Sequence, residues 1–135
     1  MNWILDPTLE RDTVTLCDLA LCRVLLNNDA NYPWLILVPR RASKVELIDL
    51  DEADRLTLWK EIAQVSRALK DLTSCHKLNV AQLGNQVAQL HVHIIAREKN
   101  DAAWPNPVWG RAPRKDYEAG ARDKLLETLR SGLGG

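Results

Sequence analysis

Leu83-Gly84-Asn85-Gln86-Val87-Ala88-Gln89-Leu90-His91-Val92-His93-Ile94-Ile95-Ala96-Arg97 carries two of the chain's three histidines, two residues apart in an apolar run. Residues two apart on a β-strand point to one face, so Gln89, His91 and His93 form a polar row while Leu90, Val92 and Ile94 face the other way. The spacing predicts a strand from Val87 to Arg97 that packs with one face and handles something polar with the other. The Gly84-Asn85 pair ahead of it predicts a turn where backbone comes close to a ligand.

Working back, Lys77 to Gln82 reads as a second strand. Before it lies a long helix, with Asp51 as N-cap, Glu52 and Asp54 at the positive end of its dipole, and an end at about Thr73. Leu56, Trp59, Ile62, Val65 or Ser66, Leu69 and Leu72 recur at three- and four-residue spacing, which predicts an apolar stripe laid on the sheet as core. Trp34-Leu35-Ile36-Leu37-Val38-Pro39 predicts a strand buried on both faces, followed by a loop at Arg40-Arg41. Asn27 to Pro33 is a turn-forming cluster, and Asp12 to about Asn28 predicts two strands in a hairpin. Downstream, Trp104-Pro105-Asn106-Pro107-Val108-Trp109-Gly110 cannot be regular. Tyr117 to Leu129 predicts an amphipathic helix within a C-terminal helical region of about 115–131, and Gly132, Gly134 and Gly135 predict a frayed end. The sum is an α+β fold. An antiparallel meander sheet carries one long helix packed across it and a C-terminal helix, in one domain over residues 1–135.

Lysine plus arginine and aspartate plus glutamate number 18 each, so no global field favours a nucleic-acid backbone or an anionic membrane. Phosphate recognition must then be local. The opening Asn2-Trp3-Ile4-Leu5-Asp6-Pro7 has neither basic flank nor long apolar core, and no stretch reaches bilayer length, which predicts a soluble cytoplasmic protein. Three cysteines without a C-x-x-C pair predict reduced thiols.

Histidine attacks, holds a proton or binds a metal near neutral pH, and two on one face divide such roles. A strand pair of histidines is also an ordinary polar face; the neighbours tip the reading. Asn79, Gln82, Asn85 and Gln89 add uncharged donors, and no acidic residue lies between Lys77 and Arg97. A polar strip without carboxylates suits a phosphate oxyanion.

Gln89-Leu90-His91-Val92-His93-Ile94-Ile95 resembles the His-x-His-x-His-x-x signature of the histidine triad (HIT) family, with Gln in the first histidine's place. Leu25 to Asp29, Trp34 to Pro39, the long helix, Leu78-Asn79-Val80 and Gly84-Asn85 follow the family's order, so the resemblance spans roughly residues 10 to 110. It is closest to small bacterial members with a Trp-Pro-rich segment after the motif. The resemblance implies a nucleotide hydrolase or nucleotidyl transferase that needs no cofactor and works as a homodimer on a purine nucleotide or dinucleotide, a dinucleoside polyphosphate or a nucleoside phosphoramidate, through a nucleotidyl-histidine intermediate. His91 would attack the α-phosphate, its other ring nitrogen held by the carbonyl of residue 89, and His93 would contact the phosphate and the leaving oxygen as donor or general acid. Asn79, Gly84 and Asn85 match phosphate-side positions, with Gln82 a rival to Asn79. One of Asn27, Asn28 and Asp29 would meet the ribose.

Gln89 cannot gain or lose a proton, so any relay through the first histidine is missing and the pH dependence should differ. Two rivals follow. One is a nucleotide-binding module without turnover; the other is a metalloenzyme on His91 and His93, with Cys75 and His76 as further zinc ligands. Leu5, Leu19 and Leu26 suit either a base pocket or plain core, core being the better reading. Trp104 and Trp109 stack on a base, cover a neighbouring subunit or seal the core's edge.

Overall fold

The structure, a computed structural model, describes residues 2–134; the reading of Gly135 lies outside them. A short helix α1 (Pro7–Asp12) starts where Pro7 presets the first helical φ and the Asp6 carboxylate accepts from the Thr8 N–H at 2.8 Å. Strands β1 (Thr13–Asp18) and β2 (Cys22–Asn27) form the expected hairpin, pinned at its turn by the Asp18–Arg23 ion pair. Strand β3 (Trp34–Pro39) is buried throughout. Helix α2 (Glu52–Thr73) leads to β4 (Lys77–Ala81), β5 (Val92–Arg97) and finally α3 (Ala121–Gly132). The sheet runs β1-β2-β3-β5-β4 with every pair antiparallel.

Strand β5 begins at Val92, five residues later than the alternation suggests. Its pairing ends at Val92 with Leu37 and at His93 with Ala81, and residues 87–91 pair with neither neighbour. Leu90 instead donates its N–H to Lys44 O at 2.9 Å, which leaves His91 just ahead of the strand. The side-chain alternation still holds. Leu90, Val92, Ile94 and Ala96 enter one core, while His93, Ile95 and Arg97 face the other side.

Helix α2 has the predicted Asp51 cap, whose side chain accepts from the Asp54 N–H, and stops at Ser74 in the left-handed region. The predicted stripe holds at Val65 and Leu69, with Ile62 partly buried against the core, and fails at its other positions. Leu58, Glu61, Val65 and Leu69 are buried, whereas Leu56 (58% exposed), Trp59 (67%) and Leu72 face outward. Two apolar stripes share this helix, and Glu61 disguises the core one. Its carboxylate accepts from the Leu21 and Cys22 N–H groups at 2.9 and 2.8 Å, closing the β1–β2 turn from inside. Burial, then the Glu61 charge, pushes the Cys22 thiol well up, so it stays protonated.

Helix α3 starts after Gly120, four residues later than predicted, with Gly120 itself at φ 82°. The end beyond it is docked rather than frayed. Leu133 enters the core, and Arg130 donates to Leu16 O at 2.7 Å and to Thr15 O at 3.0 Å, beside the irregularity in β1 between Thr15 and Cys17. Among the described residues no helix is long and apolar enough to cross a membrane.

The face away from α2 and α3 is covered by irregular chain. Leu5, Leu9, Tyr32, Trp34, Ile36, Ile95, Ala103 and Val108 cluster there. Arg97, 1% exposed, organises it through paired bonds to the Asp101 carboxylate at 2.7 and 3.0 Å, with further bonds to Asn79 Oδ1 and Asn106 O. Its guanidinium also lies over Tyr32 and Trp104. Burial works against the Asp101 carboxyl's ionisation. Arg97 and the N–H groups of Glu98, Ala103 and Trp104 outweigh it and carry the pKa down to about 2.

Candidate active site

His91 and His93 sit at the floor of a cleft of about 470 Å³. Its walls are Thr8, Leu9 and Asp12 of α1 with Thr13, the end of β2 at Asn27, Trp34 and Ile36 of β3, the 83–87 loop, and Trp109 with Gly110. A second lobe of about 420 Å³ shares Asp12, Asn27, Trp34, Trp109 and Gly110 and extends to Asp29, Val108, Ala112 and Arg114. The two form one elongated trough.

The His91 Nδ1–H donates to Gln89 O at 2.6 Å, which fixes the tautomer and leaves the Nε2 lone pair without a protein partner among the described residues. Gly84 makes room for this ring. A β-carbon there would lie 2.8 Å from Val87 O and 3.3 Å from His91 Cε1. His93, 5% exposed, has both nitrogens occupied: Trp34 Nε1–H donates to Nδ1 at 3.0 Å, and Nε2–H donates to Leu83 O at 3.1 Å. The Trp109 ring stands edge-on to it with centroids 5.0 Å apart. Burial lowers the His93 pKa to about 4, the Leu83 carbonyl opposing and His91 adding to the fall. This imidazole is neutral at physiological pH and already committed to the protein.

Gly84 and Asn85 line the cleft. Asn79 and Gln82 line neither lobe, and Asn79 is spent on Arg97. Of the three ribose candidates, Asn27 borders both lobes and Asp29 the second. Asn28 turns away to accept from Arg122 of α3 at 3.1 Å. Asp29 is also bound up in its own loop, accepting from the Asn31 N–H and side-chain amide. Gln89 points its side chain away from the trough, to the backbone of Ile4 and Asp6.

Leu19 and Leu26 belong to the helix-side core and Leu5 to the opposite one, and none lines a lobe. Trp104 seals the Arg97 cluster, with its ring edge-on to His76, while Trp109 lines the trough. Cys75 is buried in the helix-side core. Among the described residues no three His, Cys, Asp or Glu side chains gather as a metal-holding group. The α1 wall escaped the sequence reading, although Asp6-Pro7 is a legible helix start.

Residues 8–100 match the family profile of the HIT domain. This chain belongs to the histidine triad family. Histidine triad proteins of known structure resemble it over nearly their whole length. That of Bradyrhizobium japonicum is 52% identical with a TM-score of 0.97, covering 98% of this chain and 99% of its own. That of Sinorhizobium meliloti is 40% identical at 0.94, covering 97% of both chains. That of Marinobacter aquaeolei is 38% identical at 0.96, covering 99% of this chain and 98% of its own. No curated protein matches the chain. The α+β fold with its five-stranded antiparallel sheet is thus the histidine triad fold, and the motif's second and third histidines are the pair at the cleft floor.

Proposed function

We propose that this histidine triad protein is a nucleotidyl hydrolase or transferase acting on a dinucleoside polyphosphate, with His91 as nucleophile. The observation that carries the reading is the 2.6 Å bond from His91 Nδ1–H to Gln89 O, which leaves Nε2 with a lone pair at the cleft floor. Nε2 forms a bond to the α-phosphorus, and the bond from phosphorus to the bridging oxygen breaks, the leaving phosphate taking the electron pair. Water then forms a bond to phosphorus as the P–Nε2 bond breaks, the electron pair returning to Nε2, the water's proton passing to solvent and the nucleoside monophosphate leaving. Gly84 and Asn85 take the phosphate side of this trough in the proposal, and Asn27, which lines both lobes, is its ribose contact. A polyphosphate oxygen leaves without a proton, whereas the amine of a phosphoramidate needs one. His93 is neutral and engaged at both nitrogens, which favours the polyphosphate over the amine.

Brief mixing with diadenosine tetraphosphate or adenosine phosphoramidate, then intact-protein mass spectrometry under conditions that preserve phosphoramidates, tests this. The expected result is an adenylyl adduct on wild type and none on His91→Ala, with faster adduct formation from the tetraphosphate. Saturable binding without adduct or AMP would favour the second reading, a nucleotide-binding module, whose support is the missing first histidine.

The working unit in this proposal is a homodimer. Ile48, Leu56 and Trp59 lie exposed, Val80 does so on β4, and β4 has no outer strand partner among the described residues. Trp59→Glu should shift the sedimentation profile from dimer to monomer.

A further inference from the structure

We propose that Gln89 is a positioning residue that clamps the N-terminal segment against the trough, so that the motif's first position sets nucleotide affinity rather than proton transfer. The inference rests on the nucleotide reading above. The Gln89 carboxamide makes two bonds to chain more than eighty residues away: Nε2–H donates to Ile4 O at 2.9 Å, and Oε1 accepts from the Asp6 N–H at 2.8 Å. One carboxamide thus satisfies a carbonyl and an N–H on one edge of an extended segment, the pairing that a neighbouring strand would offer. Between these two bonds Leu5 turns inward into the core, while Ile4 is exposed. Asp6 in turn caps α1, which carries Thr8, Leu9 and Asp12 into the wall. The main-chain oxygen of the same Gln89 holds the His91 ring. Residue 89 therefore ties the nucleophile to the wall that faces it, one through its backbone and the other through its side chain.

The donor set explains the residue. A neutral imidazole carries its donor and acceptor on different edges of the ring and cannot meet an adjacent carbonyl and N–H together; a carboxylate has two acceptors and would face Ile4 O with a charge. Glutamine alone among these supplies one of each on one carbon. A wall held this way contacts bound nucleotide equally in ground and transition states, so its loss raises KM more than it lowers kcat. With no titrating atom in the clamp, its loss leaves the pH profile of kcat unmoved.

The test compares full-length wild type with Gln89→Met, near-isosteric and unable to form either bond, and with Gln89→Ala. Hydrogen exchange at the Asp6 amide reads the clamp directly, with the β5 amides as control. AMP affinity, and KM and kcat for diadenosine tetraphosphate across pH, read its consequence. The expected result is faster exchange at Asp6 but not in β5, AMP binding weaker by roughly tenfold as two backbone bonds are lost, and a matching rise in KM with kcat less affected and its pH profile unmoved. Unchanged AMP affinity in a variant whose Asp6 amide exchanges freely overturns the proposal, and so does a displaced pH profile. Wild type that ignores AMP overturns the nucleotide reading and the affinity role together, while Asp6 exchange still reports whether the clamp exists.

Discussion

The two faces of this sheet are built from the same strands and differ in what covers them. Under α2 and α3 the sheet presents Val24, Leu26, Leu35, Leu37, Val92 and Ile94, an aliphatic surface closed by two regular helices. On the other side β3 and β5 present Trp34, Ile36, His93, Ile95 and Arg97, covered by α1, the 101–114 segment and their turns. Irregular chain cannot tile a sheet as helices do, and the trough is the gap that it leaves. The larger aliphatic core lies on one face and the candidate site on the other, and Arg97 supplies on the second face the order that helices supply on the first.

The largest expected effect comes from breaking that substitute. Arg97→Met leaves the Asp101 carboxylate buried without its partner and should cost about 4 kcal/mol in urea unfolding, with loss of nucleotide binding as the 101–110 segment loosens. Leu69→Ala on the helix face should cost about 3 kcal/mol through its cavity and leave turnover per folded molecule intact. Equal damage to turnover from both would erase the division between the faces. The smallest effect is a pH dependence. The His93 pKa falls from 6.5 to about 4 on folding, so the unfolded chain binds the proton first. Its contribution is whole above pH 6.5 and is lost as pH falls to about 4, about 3 kcal/mol in all and spread over that range. His93→Asn should flatten the curve in that window and leave the later loss, between pH 3.8 and about 2, that belongs to Asp101.

How much of this was legible follows the same division. The order of elements, the Asp51 cap, the inward and outward alternation around His93 and the cleft positions of Gly84, Asn85 and the histidines follow from period, caps and motif. The outward fate of Leu56, Trp59 and Leu72 on α2 did not, because period counts hydrophobicity and Glu61 is buried for its hydrogen bonds. Nor did the fate of Asn79, which the motif places near phosphate and which Arg97 claims. The α1 wall is six residues long, too short for a periodic signal, and its link to Gln89 joins positions that no local window contains. Sequence reads best where a residue's partners are its neighbours; at this site most partners lie far along the chain.

Arg130 has one more consequence. By occupying the carbonyls of Thr15 and Leu16 it obstructs strand addition at the middle of the β1 border, while among the described residues β4 keeps the opposite border free. A sheet open at one border only is a chain terminator for its own assembly: two copies joined strand to strand across a two-fold axis have no free border left, and a fibre has nowhere to grow.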